Sequence, residues 1–140
     1  MSSVEENKEV VRRLLHEVVN QRRLIVANEI VASECIFHGS DGQTVIGVDV
    51  MKQMLTTFFN AFDNFRVAIE DMIGEGDKIV VRFLEMGMHQ GEFEGIAPTG
   101  KEVTWTEMAI FRVEKELVVE AWTLEDRLSL MQQLGAIPTN

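Results

Sequence analysis

Apolar residues recur at helical spacing in the first half of the chain, and the repeat then shortens to that of strands. Val10, Val11, Leu14, Leu15, Val18 and Val19 share one stripe of a 3.6-residue period, and Ser3 followed by Glu6 forms a capping-box pattern before them. These predict an amphipathic first helix. Residues 22–33 read as a second, shorter helix, although the Leu24-Ile25-Val26 run also suits a strand. Cys35-Ile36-Phe37-His38 is short and β-prone, and Gly39-Ser40-Asp41-Gly42 ends it with turn chemistry. After Gly47, the positions Val48, Met51, Leu55, Phe58, Phe59 and Phe62 give a third helix with one bulky face.

From Phe65 onward the pattern predicts strands over 65–73, 78–90, 102–113 and 117–124, with Gly74-Glu75-Gly76-Asp77 as the first turn and a glycine-rich loop before residue 102. Gly87 interrupts the second of these strands, where a bulge or bend would curve the sheet and create a concave face. Leu128, Leu130, Met131 and Leu134 predict a short final helix, stopped at Gly135. Helices followed by a strand meander imply an α+β fold with a mostly antiparallel sheet packed against three N-terminal helices. No linker or repeat divides the chain, so residues 1–140 read as one domain.

Composition narrows the function. With 140 residues at 46% hydrophobic, the chain can bury a substantial core. A formal net charge of -10 argues against nucleic acid and anionic lipid as partners, because both require clustered Lys and Arg. No apolar run approaches the roughly 18 residues of a membrane span. Glu5 and Glu6 make the start acidic where a signal peptide would be basic, and the single Cys35 allows no intramolecular disulfide, so a cytoplasmic location is expected.

The second half carries a recognisable signature. It runs through Gly74-Glu75-Gly76-Asp77-Lys78-Ile79-Val80-Val81-Arg82, the segment from Gly87 to Lys101 with Gly91, Gly95 and Gly100, then Val119-Glu120-Ala121-Trp122-Thr123-Leu124-Glu125-Asp126 and Gln133-Leu134-Gly135. Together with the order of elements, this resembles the SnoaL-like polyketide cyclase family of the nuclear transport factor 2-like superfamily. The resemblance implies a cone-shaped fold whose curved sheet encloses an apolar pocket. The superfamily hosts cyclases, isomerases, dehydratases, hydrolases and non-catalytic binding domains, so chemistry must be argued from the site.

In the cyclases, the aspartate after the Glu-x-Trp strand acts as acid/base on an enolisable carbonyl compound, and the motif carries that role to Asp126. Period-two alternation groups Glu120, Trp122 and Leu124 with Asp126; if that face is concave, Asp126 looks into the pocket. Desolvation there would raise its pKa and make it a better base near neutral pH. The same residue also suits the N-cap of the last helix. Family cyclases add a histidine on the preceding strand, but residues 102–113 contain none; the polar candidates are Thr104, Thr106, Glu107 and Arg112.

His89 and His38 sit at strand ends, where each can donate to a ligand carbonyl or serve structure alone. Trp122, Trp105, Phe83 and Met108, with Glu107, are the candidate substrate contacts, although such residues also fill cores and dimer interfaces. No metal is expected, because His-x-His, His-x-x-x-His and Cys-x-x-Cys spacings are absent. Cys35 reads as a small buried hydrophobe. These features point to cofactor-independent cyclisation or isomerisation of an apolar carbonyl compound by a homodimer. The alternative is a non-catalytic ligand-binding or scaffold module.

Overall fold

The computed structural model describes residues 2–139. The first helix, α1 (Val4–Arg13), begins as the sequence predicts: Ser3 Oγ accepts from the Glu6 amide at 3.0 Å, and the Glu6 carboxylate accepts from the Ser3 amide at 3.1 Å. It then widens into a π-helical stretch, Leu14–Asn20. The wider turn keeps Leu14, Leu15, Val18 and Val19 buried. Asn20 fastens the end of this stretch to the sheet, its side-chain amide bonding both the N–H and the C=O of Val67 at 2.8 and 3.0 Å.

The second helix is shorter than expected. A 3₁₀ turn (Leu24–Val26) leads into α2 (Ala27–Ile30), and β1 (Val31–His38) starts where the sequence reading still placed helix. Its position is set by distant pairing, since β1 runs parallel to β6 (Leu117–Glu125), with Val31 beside Val118 and Phe37 beside Ala121. A short strand not anticipated from the sequence, β2 (Thr44–Ile46), returns antiparallel to β1. Helix α3 (Val48–Ala61) follows, and Phe62, expected on its stripe, instead opens β3 (Phe62–Glu75).

β4 (Lys78–His89), β5 (Glu102–Glu114) and β6 complete a meander, and α4 (Arg127–Gln133) closes the fold. The order β2-β1-β6-β5-β4-β3 gives a six-stranded mixed sheet that is antiparallel everywhere except β1–β6. The bulge expected near Gly87 lies on the partner strand: the β3–β4 register shifts between Asp63 and Arg66, opposite Met88 and Met86. Gly87 permits it by lacking a Cβ, which would stand 2.9 Å from Phe62 Cβ. The curved sheet wraps the helices, and its inner face meets α1, the π-helical stretch and α3 in a single apolar core. No helix among the described residues is long and apolar enough to cross a membrane.

Candidate functional site

Strand pairing decides which side chains face the cone. On β4 and β5 the inward set includes Val81, Phe83, Glu85, Trp105, Glu107, Ala109 and Phe111, because Glu85 pairs with Trp105, Phe83 with Glu107 and Val81 with Ala109. β6 continues this face through Ala121, Thr123 and Glu125, which pair with Phe111, Ala109 and Glu107. Helical residues Leu14, Leu15, Met51, Leu55 and Phe58 cover it from the other side. Between them lies an inner cavity of about 140 Å³. It shares Met54, Phe58, Glu107 and Thr123 with an outer vestibule of about 700 Å³, bounded by Asp41, Glu94, Asp126 and Leu128.

Three glutamates meet where the cavities join. One carboxylate oxygen from each of Glu85, Glu107 and Glu125 lies within 4.8 Å of the others. Glu85 is buried and its Oε2 has no hydrogen-bond partner; the Trp105 indole N–H beside it is likewise buried without a formed bond. Burial is the largest cause pushing the Glu85 carboxyl well above the ordinary range, and the charges of Glu107 and Glu125 add to it. Burial, followed by the charge of Glu125, lifts Glu107 to about 7. Glu125 is also raised, chiefly by burial, with Arg127 at 3.6 Å opposing. Crowded carboxyls in a low-dielectric site hold protons near neutral pH, as acid/base chemistry requires.

Such a cluster has oxygens a cation could bridge. The expectation of no metal rested on close spacing of ligands in sequence, which cannot detect three residues brought together from three strands.

The remaining candidates are dispersed. Asp126 sits exposed at the vestibule rim, where its Oδ1 accepts from the Ser129 amide at 3.1 Å and caps α4. The condition under which Asp126 would look inward, that the Glu120 and Trp122 face be concave, is not met: Ala121 and Thr123 line the cavity instead. Glu120 and Trp122, opposite Arg112 and Ile110, lie on the outer face, while Leu124, opposite Met108, reaches the rim of the outer vestibule. Trp122 and Met108 therefore do not line the cavity, whereas Phe83 and Glu107 do, and Trp105 is buried behind the glutamates. His38 is also outside, stacked on Trp122 at 5.3 Å between centroids, with Nε2 2.7 Å from Glu120. His89 is fully buried beside Phe62; its Nδ1 accepts from the Thr99 amide at 3.2 Å, fastening the loop after β4. Burial raises the Cys35 thiol to about 12, so it is no thiolate nucleophile.

Sequence reasoning missed Glu85 and Glu125. The signal that could have found Glu85 is period-two parity, since a carboxylate between Phe83 and Gly87 on an otherwise apolar strand face is buried at a cost that calls for a role.

Among solved structures, a candidate SnoaL-like polyketide cyclase from Jannaschia sp. CCS1 is 26% identical, with TM-score 0.88 over 99% of this chain and 98% of that one. AclR, a candidate hydroxylase from Streptomyces galilaeus, matches at 23% identity and TM-score 0.88 over 99% and 86%. IdmH, a candidate polyketide cyclase from Streptomyces antibioticus, matches at 23% and 0.83 over 92% and 98%. At their identity the last two speak to the fold alone. Nothing among curated proteins matches the chain. The family model for SnoaL-like polyketide cyclase spans residues 9–134, and the chain belongs to that family.

Proposed function

We propose that this protein is a cofactor-independent acid/base enzyme that cyclises or isomerises an apolar carbonyl compound, with Glu107 moving the proton. The observation that carries this reading is the convergence of Glu85, Glu107 and Glu125 at the polar end of an otherwise apolar cavity. Glu107 is reachable from both chambers, and a carboxyl with a pKa of about 7 is half ionised at neutral pH. It can therefore take a proton from carbon next to a carbonyl and return it elsewhere on the enol. Glu85, held protonated by burial, is placed to donate to the developing enolate oxygen. Phe58 and Phe83 hold the substrate's apolar body and exclude water. The strand that brings a histidine in the cyclases presents Glu107 here, and Asp126 is left as a rim contact for a larger substrate.

The test is NMR-detected deuterium exchange at carbon acids in heavy water, over cyclic ketones, steroid enones and polyketide-like esters. Exchange that disappears in Glu107→Gln and persists in Asp126→Asn supports the assignment. The reverse pattern moves the base to Asp126, and no exchange with any compound favours a binding module.

The outer sheet face supports a homodimer. Met108, Ile110 and Leu124 are 47%, 37% and 66% exposed there beside Trp122, forming an apolar strip on one protomer. Leu124→Glu is expected to leave the circular dichroism unchanged and to shift the sedimentation coefficient from dimer to monomer. A wild type that sediments as a monomer removes this reading.

A further inference from the structure

The inner cavity gathers three carboxyl groups, and among the described residues only Glu125 has a cationic partner. Among the described residues, Arg127 pairs with Glu94 and Glu125 at the rim, but neither Glu85 nor Glu107 has an ion-pair partner. Glu85 is only 7% exposed, lines the cavity and leaves Oε2 without any hydrogen-bond partner. A buried polar atom of this kind costs stability unless something that binds there satisfies it. The walls facing it are aromatic, with Phe37, Phe58, Phe65, Phe83 and Phe111 lining the chamber. Ring faces attract cations, and the attraction strengthens as water is excluded.

We propose that the cavity is a site for an organic ammonium: a ligand whose protonated amine sits among Glu85, Glu107 and Glu125 while its apolar body lies against the phenylalanines. A primary ammonium has three N–H donors, one for each carboxylate. The three oxygens lie within 4.8 Å of one another. A triangle with sides at that limit has its centre about 2.8 Å from each corner, the length of a charge-assisted N–H···O bond. A hard divalent ion fits less well, because it requires about six oxygens, and beyond the carboxylates and the Thr123 hydroxyl the chamber is walled by aromatic and aliphatic side chains.

This deepens the proposed function. The substrate class becomes an apolar compound that also carries a basic nitrogen; with that cation bound, Glu85 gives up its proton and accepts from the ammonium instead of donating to an enolate oxygen, and Glu107 stays ionised. It rests on the reading of the cone as a ligand site and does not require catalysis.

The test is calorimetric titration with 2-phenylethylamine and its neutral counterpart 2-phenylethanol at about pH 8, where an alkylammonium stays protonated. The amine is expected to bind about tenfold or more tighter than the alcohol. Repeating the titration in buffers of different ionisation enthalpy should show proton release with the amine and none with the alcohol. Glu85→Gln and Glu107→Gln should each erode the preference while the circular dichroism stays that of the wild type. Equal affinity for the two probes, failure of both to bind, or an amine preference that survives the double variant overturns the proposal. Amine preference without carbon-acid exchange retains this inference and removes catalysis; exchange without amine preference does the opposite.

Discussion

Replacing Glu107 by glutamine is expected to cut carbon-acid exchange by about 10²–10⁴-fold, the range for loss of a positioned general base. The same substitution should make the fold more stable at alkaline pH. In the unfolded chain Glu107 titrates near 4.5, whereas in the cone it titrates near 7. Between these values the folded state binds more protons than the unfolded state, so stability falls as pH rises through the window. Its favourable contribution is complete below about 4.5, is lost through about 7, and stays lost above. Glutamine has nearly the same shape and no charge. Roughly 1–3 kcal/mol should therefore be regained at about pH 8, with a shallower pH slope, because Glu85 and Glu125 still titrate. Urea unfolding across pH reads the effect directly. Wild-type stability that rises through this window, or a variant curve parallel to wild type, contradicts the assigned burial of the charge. Gain in stability with loss of activity is what a site strained by function predicts.

Phe62→Ala is expected to cost about 3–5 kcal/mol, a large part of the stability of a domain this size. Phe62 is fully buried, and its ring lies 5.1 Å from Phe93, 5.3 Å from Trp105 and 5.6 Å from His89, centroid to centroid. Removing it opens a void that three rigid rings cannot fill. It also releases two anchors of the loop between β4 and β5, Phe93 from within the loop and His89 at its base. The urea midpoint should fall accordingly, with amide exchange in residues 91–101 accelerating first. Ile73→Ala, at a position 60% exposed, serves as the surface control and should stay within about 0.5 kcal/mol. Equal effects of the two substitutions would mean that the aromatic cluster is not the structural centre of the cone.

Helix α1, helix α3, the four long strands and α4 were legible because each repeats its apolar residues at the period of its own geometry. Ser3 and Glu6 marked one helix start by local chemistry, and the loop motifs carried the family. The boundary of β1 was not legible. Val31–Ser33 have no local reason to prefer strand over helix, and pairing with β6, more than 80 residues away, decides it. Phe62 likewise suits the stripe of α3, but the sheet claims it.

The candidate site divides the same way. Sequence alone put carboxylates among the candidates, showed no thiol or hydroxyl nucleophile motif, and marked Glu107 and Phe83 as possible ligand contacts. It could not decide which face of β6 looks inward, because a period of two defines two faces without labelling them. Trp122 made one face look apolar, yet Ala121 and Thr123 are the small residues that leave room for a cavity. Only the tertiary structure placed Glu85, Glu107 and Glu125 together, because strand register is a relation between distant segments. The electrostatics that make them a candidate site depend on separations of a few ångströms, which no spacing along one strand records.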